Sequence, residues 1–203
     1  MKKLFFSFNH QFHYNMFFKI PKILFCAILN LGGSMDYSKY IRNLKDYPKE
    51  GIIFRDITTL LKDKDAFRGA IDELVSIAPK DVDKVVGVEA RGFIVGAPIA
   101  LGLDAGFVPV RKPGKLPYKK IEASYELEYG TDTIEIHEDA ISPGEKVIIV
   151  DDLLATGGTS KATIDLIERL GGKVEALVFL VELTDLPGRE VLEGYDVRSL
   201  VKY

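Results

Sequence analysis

The run Val147-Ile-Ile-Val-Asp-Asp-Leu-Leu-Ala-Thr-Gly-Gly-Thr-Ser160 carries the pattern that decides the fold. Four consecutive apolar residues at its start predict a strand that is buried on both faces. Two carboxylates, Asp151 and Asp152, come where we expect that strand to end, and a loop of small and hydroxyl residues follows. Lys161–Leu170 has apolar residues at helical spacing, which predicts an amphipathic helix. A strand, an acidic pair, a glycine-containing loop and a helix N-terminus together form a geometry that can hold a sugar phosphate.

Strands and helices alternate along the chain after Asp36. The apolar pattern predicts helices over Asp65–Ile77 and Arg91–Leu101, with a buried strand, Lys84–Val88, between them. Such alternation predicts an α/β fold with a doubly wound, mostly parallel sheet and right-handed crossovers. The remaining elements of this pattern are strands at Phe107–Val110, Val174–Val181 and Val197–Val201 and a short helix at Gly188–Leu192.

Two further segments are less regular. We expect a short helix over Asp36–Leu44 and an apolar turn or short strand over Gly51–Asp56. Apolar and polar residues alternate in Tyr125–Tyr129 and in Thr133–Ile136, which predicts a hairpin with its turn at residues 130–132. The basic stretch before this hairpin contains Pro and Gly, so the whole segment has the character of a lid that excludes water.

Charged residues follow three of the predicted strands. Glu89-Ala-Arg91 follows the first of them, the basic stretch Arg111–Lys115 follows the next, and Asp151-Asp152 follows a third. A parallel sheet places the carboxyl ends of its strands on one edge, where such folds bind their ligands. We therefore expect these three groups to form one site.

The composition is that of an ordinary globular domain. The chain has 203 residues and a formal net charge of −3, so bulk charge does not favour a nucleic-acid partner. The single cysteine, Cys26, excludes an internal disulfide framework or a cysteine-cluster metal site and fits a reducing compartment such as the cytoplasm. The P-loop, the dinucleotide-binding glycine motif, the serine-hydrolase elbow and the zinc-protease motif do not occur, so those functions lose their usual sequence support.

Residues 1–34 differ from the rest of the chain. They contain four lysines, no Asp or Glu, and seven of the twelve phenylalanines. Polar residues interrupt the apolar stretch that a signal peptide needs, and the segment is too broken to span a membrane. Phe, Asn, Lys, Ile and Tyr are encoded by A/T-rich codons. A stretch of DNA upstream of the gene, read as coding sequence, would give the same composition. We expect Met35 to be the true start, residues 1–34 a non-native or disordered extension, and 35–203 the functional domain; a cleaved or anchoring segment is the alternative.

The run at 147–160 matches the signature of the type I phosphoribosyltransferases. Five other motifs, in the same order along the chain, resemble the adenine phosphoribosyltransferases within that family. The resemblance covers about residues 36–203, and the first 34 residues have no counterpart in it. The motifs are Tyr47–Ile57, Glu89–Phe93, Val110–Pro117, Ala123–Gly130 and Leu180–Thr184.

The resemblance implies a reaction, a fold and partners. The reaction is that of adenine with 5-phosphoribosyl-1-pyrophosphate (PRPP) to give AMP and pyrophosphate, with Mg²⁺ bound together with the pyrophosphate of the substrate. The fold is the type I phosphoribosyltransferase fold, with a small N-terminal hood and a flexible hairpin lid. The implied assembly is a homodimer without a nucleic-acid or membrane partner.

The resemblance also implies which residues hold the phosphoribosyl donor. Asp151 and Asp152 accept hydrogen bonds from the ribose hydroxyls, and the loop after them cradles the 5′-phosphate. Cations at two strand ends stabilise the charge that develops on the leaving pyrophosphate, and Arg91 among them is a catalytic residue. The implied 5′-phosphate residues are Ala155, Thr156, Gly157, Gly158, Thr159 and Ser160, and the implied pyrophosphate residues are Arg91, Arg111, Lys112 and Lys115.

For the base, the implied site has two walls. Phe54 stacks on one face of adenine and Leu183 lies on the other, while the backbone of Ile53 and Arg55 reads the edge of the ring. A cis peptide bond is expected just before Arg91.

The implied lid carries the remaining two catalytic residues. Glu128 exchanges a proton with an adenine ring nitrogen, and Tyr129 helps to close or order the lid.

The same residues have structural interpretations. An aspartate before a helix is commonly a cap, Phe54 is of a type that is common in cores, and Lys112 is of a type that is common on surfaces. Two other functions stay open as well. One is a phosphoribosyltransferase for another base, and the other is a non-catalytic regulator that senses PRPP. Such a regulator usually has a DNA-binding segment, and residues 1–34 lack the size and pattern of a helix-turn-helix.

Overall fold

Five parallel strands form the central sheet within the part of the chain that the computed structural model describes, residues 35–127 and 130–203. The strands are β3 (Lys84–Val88), β4 (Gly106–Val110), β7 (Lys146–Leu154), β8 (Lys173–Glu182) and β9 (Val197–Lys202). Their order is β4-β3-β7-β8-β9, and every neighbouring pair is parallel. The chain reverses its direction of winding between β3 and β7, where α/β sheets bind ligands.

Helices cover both faces of this sheet, because the strands are apolar on both faces. Helices α2 (Lys64–Ile77) and α3 (Arg91–Leu103) contact each other on one face, and α4 (Gly158–Arg169) packs on the other. On the α4 face, Leu166 and Ile167 join a buried cluster with Ile149 and Phe179. The doubly wound parallel α/β fold predicted from the sequence is therefore confirmed.

The first 27 described residues form a small substructure before α2. It contains a 3-10 helix, Tyr37–Tyr40, followed by β1 (Arg42–Lys45), β2 (Ile53–Asp56) and α1 (Thr58–Leu61). Strands β1 and β2 pair in antiparallel register, with Asn43 opposite Arg55. The helix expected over 36–44 is wrong in its second half, since that half pairs as a strand.

A second antiparallel hairpin comes from β5 (Lys120–Leu127) and β6 (Gly130–His137). It contacts α4, and Arg111 after β4 forms an isolated bridge with Glu135 of β6. The turn expected at residues 130–132 is wrong, because these residues pair with β5 as part of β6.

Two sets of predicted residues lie outside the described part of the chain. They are the N-terminal segment 1–34 and the lid residues Glu128 and Tyr129. The last described helix, α5 (Gly188–Val191), joins β8 to β9. No helix in the described ranges has the length and apolar character that crossing a bilayer requires.

Candidate active site at the carboxyl edge of the sheet

The two aspartates lie where β7 continues beyond the end of β3. Strand β3 last pairs with β7 at Val150, whereas β7 runs on beside β8 to Leu154. Asp151 and Asp152 are thus inside β7, and the expectation that they follow the strand is wrong. Beyond Val150 no strand in the described ranges pairs with β7 on its β3 side, so this step in the sheet leaves room for a ligand beside the two carboxylates.

Asp152 pairs with an arginine at the start of the helix that follows β3. Its side chain is 7% exposed, and its Oδ2 lies 3.0 Å from Nε of Arg91 at the start of α3. The two groups are an ion pair, but they are not aligned for a hydrogen bond, and Oδ2 has no hydrogen-bond partner among the described residues. The site therefore contains a buried acceptor that is neutralised but not satisfied.

Burial disfavours the charged form of both carboxyls. Burial raises the pKa of Asp151 well above its ordinary value, and the negative charge of Asp152 raises it further, while Arg91 opposes both effects. Burial also raises the pKa of Asp152, and the guanidinium of Arg91 opposes it there too. The pair therefore takes up a proton at a higher pH than ordinary aspartates do.

Close packing of α3 on β7 sets the position of Asp151. A Cβ at Gly92 would lie 2.8 Å from Oδ1 of Asp151 and 3.0 Å from the carbonyl oxygen of Val150. The backbone N–H of Asp152 donates to that same Oδ1 at 2.9 Å. Only a glycine at position 92 leaves this carboxylate in its place.

Glu89, at the end of β3, collects the cations that follow β4. Its side chain is 11% exposed and it accepts from Nζ of Lys115 at 2.6 Å and from Nε and Nη2 of Arg111 at 3.3 Å each. The backbone N–H of Lys112 donates to it at 3.0 Å. Burial disfavours the charge of Glu89, but these donors outweigh it and lower the pKa to about 2. The peptide bond between Glu89 and Ala90 is cis.

The ammonium of Lys112 points toward the hairpin and not toward Glu89. Its Nζ contacts the carboxylate of Asp132 and lies 3.2 Å from the hydroxyl of Tyr125, and that hydroxyl donates to Asp132 at 3.1 Å. A second carboxylate of the hairpin, Glu135, accepts from the backbone N–H of Gly114 at 3.1 Å. The basic loop is thus tied to the hairpin, and the side chain of Lys112 does not join Arg111 and Lys115 around Glu89.

Arg91 connects one of the predicted base residues, Phe54, to the acidic pair. The guanidinium of Arg91 lies 5.5 Å from the centroid of the Phe54 ring, and Tyr47 packs edge-on against the same ring. Ile53 and Arg55 flank Phe54 in β2, so their backbone groups point to the same edge of the strand. Leu183 lies just after β8, and its N–H donates to the carbonyl of Leu154 at 3.0 Å.

The loop between β7 and α4 is shaped by glycine. Gly157 has φ +82° and precedes the first residue of α4, and Gly158 begins the helix. The N-cap residue is Gly157, which has no side chain to cap the helix, and the first N–H groups of α4 can therefore bind an anion. Thr156 is exposed, Ala155, Gly158 and Thr159 are half-buried, and Ser160 is buried.

Sequence reasoning missed one important neighbour of this loop. The first residue of α5, Gly188, packs so closely on it that a Cβ there would collide with the carbonyl oxygen of Ala155. A Cβ at Gly157 would in turn lie 3.0 Å from the carbonyl oxygen of Gly188. The local sequence around Gly188 indicates a short helix and carries no signal for this contact, which joins segments about thirty residues apart.

A cavity of about 340 Å³ is lined by residues of both the hairpin and α4. Tyr125 lines it on the hairpin side, Lys161 and Asp165 on the helix side, and Gly158 and Val191 at the end near the phosphate loop. The hairpin therefore lies next to the N-terminus of α4. A lid carried by this hairpin is attached beside the phosphate loop.

Comparison with known proteins gives the same family from sequence and from structure. The model of the phosphoribosyl transferase domain matches residues 56–201. The adenine phosphoribosyltransferase of Halothermothrix orenii is 60% identical over 169 residues, which are 83% of this chain and 99% of that relative. The solved adenine phosphoribosyltransferase of Thermoanaerobacter pseudethanolicus is 53% identical with a TM-score of 0.80, covering 83% of this chain and 98% of that one. The Saccharomyces cerevisiae enzyme, solved with an imino-altritol bisphosphate and adenine, is 39% identical with a TM-score of 0.72, covering 79% and 96%.

The chain belongs to the phosphoribosyl transferase domain family and is a phosphoribosyl-transferring enzyme. Its relatives at about 60% identity are adenine phosphoribosyltransferases. The family resemblance and the fold that the sequence motifs imply are both confirmed.

Proposed function

We propose that this protein transfers the phosphoribosyl group of PRPP to adenine and so makes AMP and pyrophosphate in purine salvage. The observation that carries the proposal is the position of Arg91, whose guanidinium lies between the ring of Phe54 and the carboxylate of Asp152. One cation thus borders both an aromatic face suited to a base and an acidic pair suited to a ribose. The identity to adenine phosphoribosyltransferases along nearly their whole length supports the same reaction.

The donor's ribose and 5′-phosphate occupy the acidic pair and the loop after it. Asp151 and Asp152 accept hydrogen bonds from the ribose hydroxyls, since ionised carboxylates are acceptors only. The N–H groups of residues 155–160 and the N-terminal end of α4 hold the 5′-phosphate. Thr156 and Thr159 add hydroxyl donors at the rim, whereas the buried Ser160 contributes through its backbone.

Pyrophosphate leaves toward the cations at the ends of β3 and β4. The bond between ribose C1 and the pyrophosphate oxygen breaks with its electron pair on the oxygen, and charge builds up on both fragments. Arg91, Arg111 and Lys115 stabilise the anion from fixed positions. Glu89 holds Arg111 and Lys115 at this place. The backbone N–H of Lys112 donates to the same carboxylate and so fixes the start of the basic loop.

The described residues fit Mg²⁺ only when the phosphates of the substrate supply further ligands. The described residues contain no group of three or more His, Cys, Asp or Glu that could hold a metal ion. Asp151 and Asp152 offer carboxylate oxygens, and Mg²⁺ characteristically combines one or two carboxylates with substrate phosphates and water. Bound there, Mg²⁺ would offset the charge of the leaving pyrophosphate.

Adenine lies between Phe54 and Leu183, and the backbone of Ile53 and Arg55 reads its edge. The ring nitrogen that bonds to ribose C1 loses its proton, and Glu128 receives that proton. Tyr129 orders the lid as it closes over the reacting groups and excludes water. We further propose that the enzyme is a cytoplasmic homodimer.

The direct test of this function is a panel of bases. Adenine, hypoxanthine, guanine and orotate are supplied separately with PRPP and Mg²⁺, and pyrophosphate release is measured. We expect turnover with adenine and at least about a hundredfold lower kcat/KM with the other bases, because a site built to hydrogen-bond one edge leaves polar groups unpaired with another. Turnover with a different base would replace adenine in the proposal, and PRPP binding without turnover on any base would indicate a regulator.

The phosphate loop allows a prediction with a matched control. Ala in place of Gly157 or Gly144 has to adopt a left-handed φ, +82° or +86°, at a cost of about 1–2 kcal/mol in the free energy of unfolding. Around Gly144 there is open space, whereas at Gly157 the new Cβ presses on the backbone of Gly188. We expect both variants to lose stability in denaturant titrations, and only Gly157→Ala to show a raised KM for PRPP. An equal KM in the two variants would remove this loop from the donor site.

A further inference from the structure

The connector between β8 and α5, residues 183–187, borders two parts of the site. At its first residue, the N–H of Leu183 donates to the carbonyl of Leu154, directly before the phosphate loop. At its far end, Gly188 packs against the carbonyl of Ala155 inside that loop. Val191, one turn further along, lies against the position that a Cβ of Gly157 would take, at 3.2 Å. Any shift of the connector therefore moves the loop as well.

An ion pair between Glu182 and Arg189 links the residues on the two sides of this connector. Glu182, the residue before it, is 2% exposed and accepts from Nε of Arg189 at 2.5 Å and from Nη2 at 2.8 Å. The third guanidinium nitrogen, Nη1, donates to the carbonyl of Val197 in β9 at 3.1 Å, and the hydroxyl of Ser199 also donates to Glu182. The fork of the guanidinium fits the two carboxylate oxygens side by side, which fixes direction as well as distance.

Such a pair is better suited to fixing geometry than to adding stability. Removing two charges from water costs about as much as their attraction returns, so apolar replacements of both partners are often neutral for folding. The directional bonds, in contrast, determine where α5 lies relative to the phosphate loop.

We propose that Glu182 and Arg189 are positioning residues for the donor: their bidentate pair holds the connector so that Gly188 and Val191 support the loop that binds the 5′-phosphate. Neither residue touches the substrate in this arrangement. The inference rests on the proposed function only in that the loop binds a phosphorylated ribose, whichever base is used.

The test compares two ligands at different strand ends. Arg189→Lys keeps the charge but cannot donate two parallel hydrogen bonds from one planar group. We expect its Kd for ribose 5-phosphate, measured by calorimetry, to rise about tenfold, because small displacements of binding groups have large effects. The Kd for pyrophosphate should stay within about twofold of the wild type, since Arg91, Arg111 and Lys115 do not depend on the connector. Glu182→Gln, which keeps the size of the side chain, should show the same split.

Arg198→Lys is the matched control. Arg198 lies in β9 and donates twice to one oxygen of the Asp196 carboxylate, from Nε at 2.9 Å and from Nη2 at 2.5 Å, but it does not bound the connector. Its Kd for ribose 5-phosphate should not change. An unaltered Kd in Arg189→Lys and Glu182→Gln, or an equal weakening for ribose 5-phosphate and pyrophosphate, overturns the inference. Failure of the adenine proposal would instead appear as absent turnover in the wild type, which these binding measurements do not use.

Discussion

Replacing Asp151 with asparagine is expected to raise the KM for PRPP by about 10- to 100-fold, because hydrogen bonds to a charged acceptor contribute about 1.5–3 kcal/mol. Asparagine keeps an oxygen at Oδ1, so the 2.9 Å hydrogen bond from the N–H of Asp152 can survive the change. The ribose hydroxyls lose only the ionised acceptor. Steady-state kinetics with varied PRPP at saturating adenine measures the effect.

The same substitution should stabilise the ligand-free protein near neutral pH. The pKa of Asp151 is raised in the folded state above its ordinary value of 3.8, so the folded state binds this proton more tightly than the unfolded chain does. Such a group stabilises the fold fully only below the unfolded pKa, and that contribution is lost as the pH rises through the folded pKa. Asparagine carries no charge at any pH, so the variant should be more stable at about pH 7 and lose this advantage near about pH 4.

Asp139→Asn is the control for both effects. Asp139 is an exposed residue in the turn after β6, outside the acidic pair and the phosphate loop. Its substitution should change neither the KM for PRPP nor the difference in unfolding free energy between the two pH values. If Asp151→Asn binds PRPP as the wild type does, or destabilises the ligand-free protein at neutral pH, the proposed use of this carboxylate is wrong.

The sequence predicted the central sheet because its strands are buried on both faces. Val147–Val150 is apolar at every position, and each of these residues is fully buried in β7. Such strands alternate with amphipathic helices along the chain, and a parallel sheet is the fold that this alternation predicts. Parallel strands end on one edge, so the sequence alone predicts that Glu89, Arg91 and the acidic pair lie at the same edge of the sheet.

The hood strand β1 could not be predicted in the same way. All four of its residues are exposed, so it has no apolar alternation to mark it as a strand. Its position comes from pairing with β2 and from the ion pair between Arg42 and Asp56, at 2.7 Å. Both are contacts between separate segments of the chain, so the local sequence of β1 does not predict them.

Contacts between distant segments also determine features of the site that local sequence does not show. Lys112 has the sequence context of a pyrophosphate cation, yet its ammonium contacts Asp132, twenty residues further along. Gly188 has the context of a helix start, yet it supports the loop at Ala155. Local sequence indicates which chemistry is present, whereas the fold determines which partners each group has.

The larger effect on the chemical step is expected from Glu128→Gln, which should lower kcat by about 10²–10⁴-fold while the KM for PRPP changes little. The substitution keeps the size and hydrogen-bonding reach of the side chain but removes its ability to take up a proton. Donor binding depends on the acidic pair and the phosphate loop, which lie on β7 and α4, so it should survive. Rapid-mix measurement of a single turnover, at several pH values, separates the chemical step from product release.

Glu122→Gln makes the same chemical change on the same hairpin. Glu122 is an exposed residue of β5, opposite Glu135 in the register. If a general loss of negative charge on the lid slowed the enzyme, both variants would lose activity, whereas proton transfer by one residue predicts a loss in Glu128→Gln alone. The pH profile adds a second criterion, because removal of a proton acceptor should abolish the acidic limb of the single-turnover rate. A wild-type rate and an intact acidic limb in Glu128→Gln would assign the proton of adenine to another group.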